Sequence, residues 1–153
     1  MKTLANLADQ QEILMRLGRV RVDSARCWGK MSADQMICHL ADSFRGVMGE
    51  LSLGRKPGNR LGRRLMRQFA LYAPMKWPHG VPTMPEMDQM IGGTKPAEFA
   101  RDVEELRRLF TRFTKTPRDF PWKPHPIFFE MTEKDWLRWG YLHMDHHLRQ
   151  FGA

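Results

Sequence analysis

Apolar residues recur along this chain at intervals of three and four with no sustained alternation, and that period predicts helices rather than strands. From Lys2 to Leu17, the positions of Leu4, Leu7, Ile13, Leu14 and Leu17 predict a first amphipathic helix ending near Gly18. A second helix is expected to open at Ser32, where Gln35 three residues on completes a capping box, and to run to about Leu51. Its inward stripe is Met36, Ile37, Leu40, Phe44, Val47, Met48 and Leu51. The stretch from Leu53 to Lys95 holds Pro57, Pro74, Pro78, Pro82 and Pro85, so it cannot be one helix. Within it, Arg60 to Tyr72 reads as a short basic amphipathic helix using Leu61, Leu65, Met66, Phe69 and Tyr72. A crossover of this length usually covers something. The third main helix should begin near Pro96 and stop before Pro117, burying Phe99, Val103, Leu106, Leu109, Phe110 and Phe113. Thr132 and Asp135 cap a last helix that should reach Phe151. The expected fold is all-α, a four-helix bundle with an extra short helix in its long crossover.

Composition leaves that picture intact. With 153 residues, 42% hydrophobic and 27% charged, one domain spanning residues 1–153 is expected, and disorder or a fibrous repeat is not. Cys27 and Cys38 are too few to staple a fold of this size, which fits a reducing compartment. Met1 to Gln11 carries no apolar signal core and no stretch approaches ~18 uninterrupted apolar residues, so a cytoplasmic protein without integral membrane association is expected.

Charge adds one feature. The formal net charge is +8, densest where Arg55, Lys56, Arg60, Arg63, Arg64 and Arg67 follow one another. Such a patch attracts phosphate and carboxylate, so Arg63, Arg64 and Arg67 are candidate anion contacts, although a basic helix face is more ordinarily just solvated.

The chemistry lies in the histidines. On the last helix Trp136, Leu137, Gly140, Tyr141, Met144, Leu148 and Phe151 make the core stripe. His143 and His147, four residues apart, come together on one flank of it and can share a cation. On the second helix His39 occupies the matching flank, among Gln35, Ser43 and Gly46, small or polar neighbours that leave room for an ion and a ligand. Three imidazoles from two neighbouring helices would hold a divalent metal and leave a coordination place open for water or substrate. Gln150 sits beside the pair and Gln35 beside His39, so both are candidate second-layer or substrate-orienting residues. His146 lies 100° from His147 and should point elsewhere. His125 reads as a loop residue and His79 as a surface turn residue. Trp28 and Trp136, opening the ligand-bearing helices, are the aromatics best placed to line a site.

These segments resemble the DinB/YfiT-like family of metal-dependent enzymes, in a branch whose function is unassigned. Trp28-Gly29-Lys30-Met31-Ser32 leading into Gln35-Met36-Ile37-Cys38-His39-Leu40 is similar to the family's approach to its second helix. His125-Pro126, Met131-Thr132, Trp136 and the run from His143 to Phe151 are similar to its HxxxH helix with a trailing glutamine. The resemblance implies His39, His143 and His147 as metal ligands, with zinc or nickel ahead of iron or manganese. It also implies a low-molecular-weight thiol as co-substrate, a small-molecule substrate, a homodimer, and thiol S-transferase, isomerase or hydrolase chemistry. The Arg- and Pro-rich crossover departs from the usual family layout. Two rivals stand beside this reading: a metal-binding protein without catalysis, and a module binding nucleic acid or a membrane surface through Arg55 to Arg67, of which nucleic acid is the less favoured.

Overall fold

A computed structural model describes residues 1–54 and 57–153, so Arg55 and Lys56 of the basic run lie outside the described residues. Among the described residues there are five α-helices and no strand: α1 (Leu7–Leu17), α2 (Ala33–Met48), α3 (Arg60–Tyr72), α4 (Phe99–Thr114) and α5 (Glu133–Gln150). A single 3-10 turn, Pro85–Met87, interrupts the crossover between α3 and α4. α2 packs on α4 and α1 on α5, and α2 meets α5 along the seam where the histidines lie; α3 leans on α5 from outside this four-helix set. The all-α fold with an extra helix in the crossover is as expected.

Local chemistry sets the helix ends. The Ser32 amide donates to Gln35 Oε1 at 3.0 Å, and α2 ends at Met48, three residues before the expected Leu51, because Gly49 with its φ of 86° breaks the helical path. α1 starts at Leu7 rather than Lys2. The preceding turn is held by the Asp9 carboxylate, which accepts from the Thr3 amide at 2.9 Å, and Leu4 reaches the core from that turn while Leu7 is exposed. α4 starts at Phe99 rather than Pro96 because the Glu98 carboxylate accepts from the Ala100 and Arg101 amides at 3.0 and 2.9 Å. α5 opens as expected: Thr132 Oγ1 accepts from the Asp135 amide at 3.2 Å and Asp135 Oδ2 from the Thr132 amide at 3.0 Å.

Buried apolar side chains from α1, α2, α4 and α5 join in one cluster, with Trp136, Phe44, Phe110 and Phe113 among its largest members. α3 behaves differently. It is anchored through Leu71 and two arginines: Arg63 donates to the Ile127 carbonyl at 3.0 Å and Arg67 donates to the Glu130 carbonyl, facing Asp135 as well. Tyr72 OH adds a 2.6 Å hydrogen bond to Asp135 Oδ1. Of the stripe read from the sequence, Tyr72 turns toward the protein and the rest faces outward, with Leu61, Leu65 and Phe69 exposed to 68%, 62% and 61%. Arg63 and Arg67, read from the sequence as candidate anion contacts or as part of a solvated face, donate to the protein's own carbonyls, and Arg64 is exposed.

Candidate metal centre

His39 projects from α2, and His143 and His147 from α5. Each offers one ring nitrogen, and the three nitrogens lie within 4.8 Å of one another. His39 Nε2 and His143 Nε2 are 3.3 Å apart, close to the separation of roughly 3.3 Å that two ~2.05 Å zinc–nitrogen bonds subtend at a tetrahedral angle. His39 is 4% exposed and His147 9%, while His143 retains more contact with solvent.

The outward nitrogens explain how two of the rings are aimed. His39 Nδ1 donates to the Met87 carbonyl at 3.0 Å, which leaves the Nε2 lone pair turned inward. His147 Nδ1 donates to Gln150 Oε1 at 3.0 Å with the same effect, and Gln150 Nε2 in turn donates to the Trp28 carbonyl at 2.9 Å. Gly29 makes that approach possible. Its φ is 81°, and a Cβ there would come within 2.4 Å of Gln150 Nε2. His143 has its ring stacked on Trp139, with centroids 4.9 Å apart, and the Trp77 ring centroid lies 6.1 Å away.

Burial is the leading cause of the electrostatics. It pushes all three imidazoles below their ordinary pKa. Neighbouring imidazoles add to this at His143 and, through His39, at His147, where Gln150 opposes it; at His39 the Met87 carbonyl with Asp42 and Asp88 opposes it. Neutral rings with lone pairs facing one point are the form in which histidine takes a metal. Among the described residues no cysteine joins them: the Cys38 thiol donates to Asp102 Oδ2 at 3.7 Å, and burial pushes it up to about 12.

The crossover covers the site, as its length suggested. Its 3-10 turn supplies the Met87 carbonyl, and the segment is pinned by Asp42, a carboxylate one turn beyond His39. Asp42 accepts from Gln89 Nε2 at 3.2 Å and from the Thr94 amide and hydroxyl at 2.8 and 2.7 Å. Neither Met87 nor Asp42 carries a sequence signal for this role, because both act through a loop whose path is irregular.

Other predicted residues lie elsewhere. Gln35 is engaged at its two ends by the Ser32 amide and by Met90 Sδ, 3.1 Å from its Nε2. The space expected beside Gly46 is filled by Leu53, whose Cδ1 would lie 2.4 Å from a Cβ at that position. Ser43 donates to the His39 carbonyl at 2.8 Å. Trp136 is a core residue stacked on Trp122, so the aromatics beside the triad are Trp139 and Trp77 instead. His146 lies outside the triad, between Trp28, His79 and His147, and His79 stacks on Trp28 with centroids 4.1 Å apart. His125 is a buried loop residue whose Nδ1 accepts from the Ile127 and Phe128 amides, both at 3.1 Å.

The arrangement of one histidine on the second helix and an HxxxH pair with a trailing glutamine on the last has a counterpart among known families. The model of the DinB superfamily matches residues 9–151. The chain belongs to the DinB superfamily. No curated protein and no solved structure matches it. Within this DinB-superfamily chain, the matched region contains all three histidines, Gln150 and the complete crossover. Among the described residues no helix is long and apolar enough to cross a membrane.

Proposed function

We propose that this DinB-superfamily protein is a divalent-metal-dependent enzyme in which His39, His143 and His147 are the metal ligands and a thiol or water is activated against a small electrophile. The observation that carries this reading is the pairing of convergence with preset tautomers: three ring nitrogens lie within 4.8 Å, and two of the rings have their far nitrogens already engaged by Met87 and Gln150. A histidine hydrogen bond alone requires only two rings. A divalent ion at this point supplies a Lewis acid that lowers the pKa of a bound thiol or water, with zinc and nickel suiting an all-imidazole donor set and iron or manganese as rivals.

The chain's own groups do the positioning. Met87 and Gln150 fix ring rotation, and Trp139 backs the His143 ring. The low exposure of His39 and His147 favours a second reading, a metal site without catalysis. Both readings predict that untagged protein, purified without a metal column, retains close to one divalent ion per chain; protein that neither retains nor takes up metal contradicts both. Metal-dependent consumption of a low-molecular-weight thiol with a small electrophile, or metal-dependent hydrolysis of that electrophile, supports the enzyme. Full metal loading with no turnover across a broad panel favours the non-catalytic site.

A further inference from the structure

α3 is an amphipathic helix mounted inside out. Its protein-facing side carries Leu71 with Arg63 and Arg67, both bonded to main-chain carbonyls of the 127–130 loop, while Leu61, Leu65 and Phe69 face solvent at more than 60% exposure. Met66, Met75 and Val81 are also more than half exposed. Isolated exposed apolar residues are ordinary, but three in successive turns of one helix form a patch of the kind that marks an interaction surface.

The charge distribution indicates what the patch meets. The chain has 25 Lys and Arg against 17 Asp and Glu. Residues 51–85 hold seven of those cations and none of the acids, which leaves 18 against 17 in the rest of the chain. Nearly the whole net charge therefore resides in the segment that displays the apolar face. Arg60 and Arg64, both exposed, precede and follow Leu61 on α3, and exposed Lys76 follows the helix. Two copies joined through this face would bring cations together with no acid from the same segment to offset them. Nucleic acid would use the cations and leave the leucines and phenylalanine without a role.

From this we propose that α3 is a peripheral docking helix for an anionic lipid bilayer. Leu61, Leu65 and Phe69 enter the acyl boundary, and Arg60 and Arg64 lie among the phosphate headgroups. The surface does not depend on the metal centre, which is built from α2 and α5. Membrane docking would leave the α2–α5 seam intact.

The test is co-sedimentation of the full chain with vesicles of phosphatidylglycerol and phosphatidylcholine, against vesicles of phosphatidylcholine alone, in ~0.1 M salt. Wild-type protein is expected to partition onto the anionic vesicles and not the neutral ones. Leu65→Ser with Phe69→Ser should reduce partitioning at least ~10-fold, from the loss of buried apolar groups. Arg60→Gln with Arg64→Gln should reduce it several-fold and weaken its salt dependence. Because all four positions are exposed, helical circular dichroism should be unchanged in both variants. The proposal is overturned by failure of the wild type to bind anionic vesicles, by equal binding to neutral ones, or by binding that the serine pair leaves intact. It is also overturned if the wild type forms a dimer in sedimentation equilibrium that the serine pair dissolves, since a second copy would then be the occupant. Binding to duplex DNA in place of vesicles, insensitive to the serine pair, would count against it as well.

Discussion

α5 and α3 carry apolar stripes of the same helical period, yet one is buried and the other faces solvent. α5 lies against α1 and α2, so its stripe meets apolar partners and only its flank is left for the histidines. α3 touches only α5 among the principal packing pairs, and its anchoring groups are arginines and a tyrosine that satisfy loop carbonyls and Asp135. Those hydrogen bonds and the pairing of Arg67 with Asp135 hold the arginine side of α3 against the protein, so the roll of the helix follows its polar partners rather than its apolar stripe. Periodicity shows that a helix has two faces; its neighbours decide which one is turned inward.

That contrast can be broken at several points. The largest effect is expected at Trp136 on α5, which is 1% exposed. Trp136→Ala should lower the unfolding free energy by ~3–5 kcal/mol in denaturant titration, and a loss below 1 kcal/mol would mean the α5 stripe is not the core described here. At the edge of the same helix, Gln150→Ala frees the His147 ring, and metal affinity by chelator competition should fall by ~10–100-fold. An unchanged affinity would remove Gln150 from the site.

His125 gives a pH-dependent effect of intermediate size. Burial lowers its pKa to about 3, below the ordinary value near ~6.5, so on acidification the unfolded chain takes up the proton first. Its contribution to stability is complete above pH ~6.5 and is lost as pH falls toward 3, at up to ~1.4 kcal/mol per pH unit. His125→Asn keeps an acceptor for the Ile127 and Phe128 amides, and denaturant titrations from pH 7 to 5 should then show a shallower slope; an identical slope would contradict the assignment. The smallest effect is expected on α3: Phe69→Ala should change stability by no more than ~0.5 kcal/mol, because its ring is already in water. A loss like that of Trp136 would show that the α3 face is covered by something in the isolated protein.

The residues that could be read in advance are those whose role follows from spacing. Ser32 with Gln35, Thr132 with Asp135, the bounds Arg60–Tyr72, and the convergence of His39 with His143 and His147 all depend on local period and on two helices being neighbours. What spacing does not encode is the path of irregular chain. The Met87 carbonyl, the Asp42 latch and the Leu53 side chain that fills the Gly46 notch all come from the crossover or its contacts, where prolines fix local dihedrals without fixing a direction. The partners of Arg63 and Arg67 are not encoded by spacing either, since their acceptors are carbonyls in a loop more than sixty residues away.

X-ray absorption at the metal edge, recorded on protein loaded with one zinc per chain, addresses the coordination directly. Three imidazole nitrogens at ~2.0–2.1 Å plus one lighter exchangeable ligand are expected, with one imidazole lost in His39→Ala. A shell containing sulfur, or one that His39→Ala leaves unchanged, would contradict a centre shared between α2 and α5.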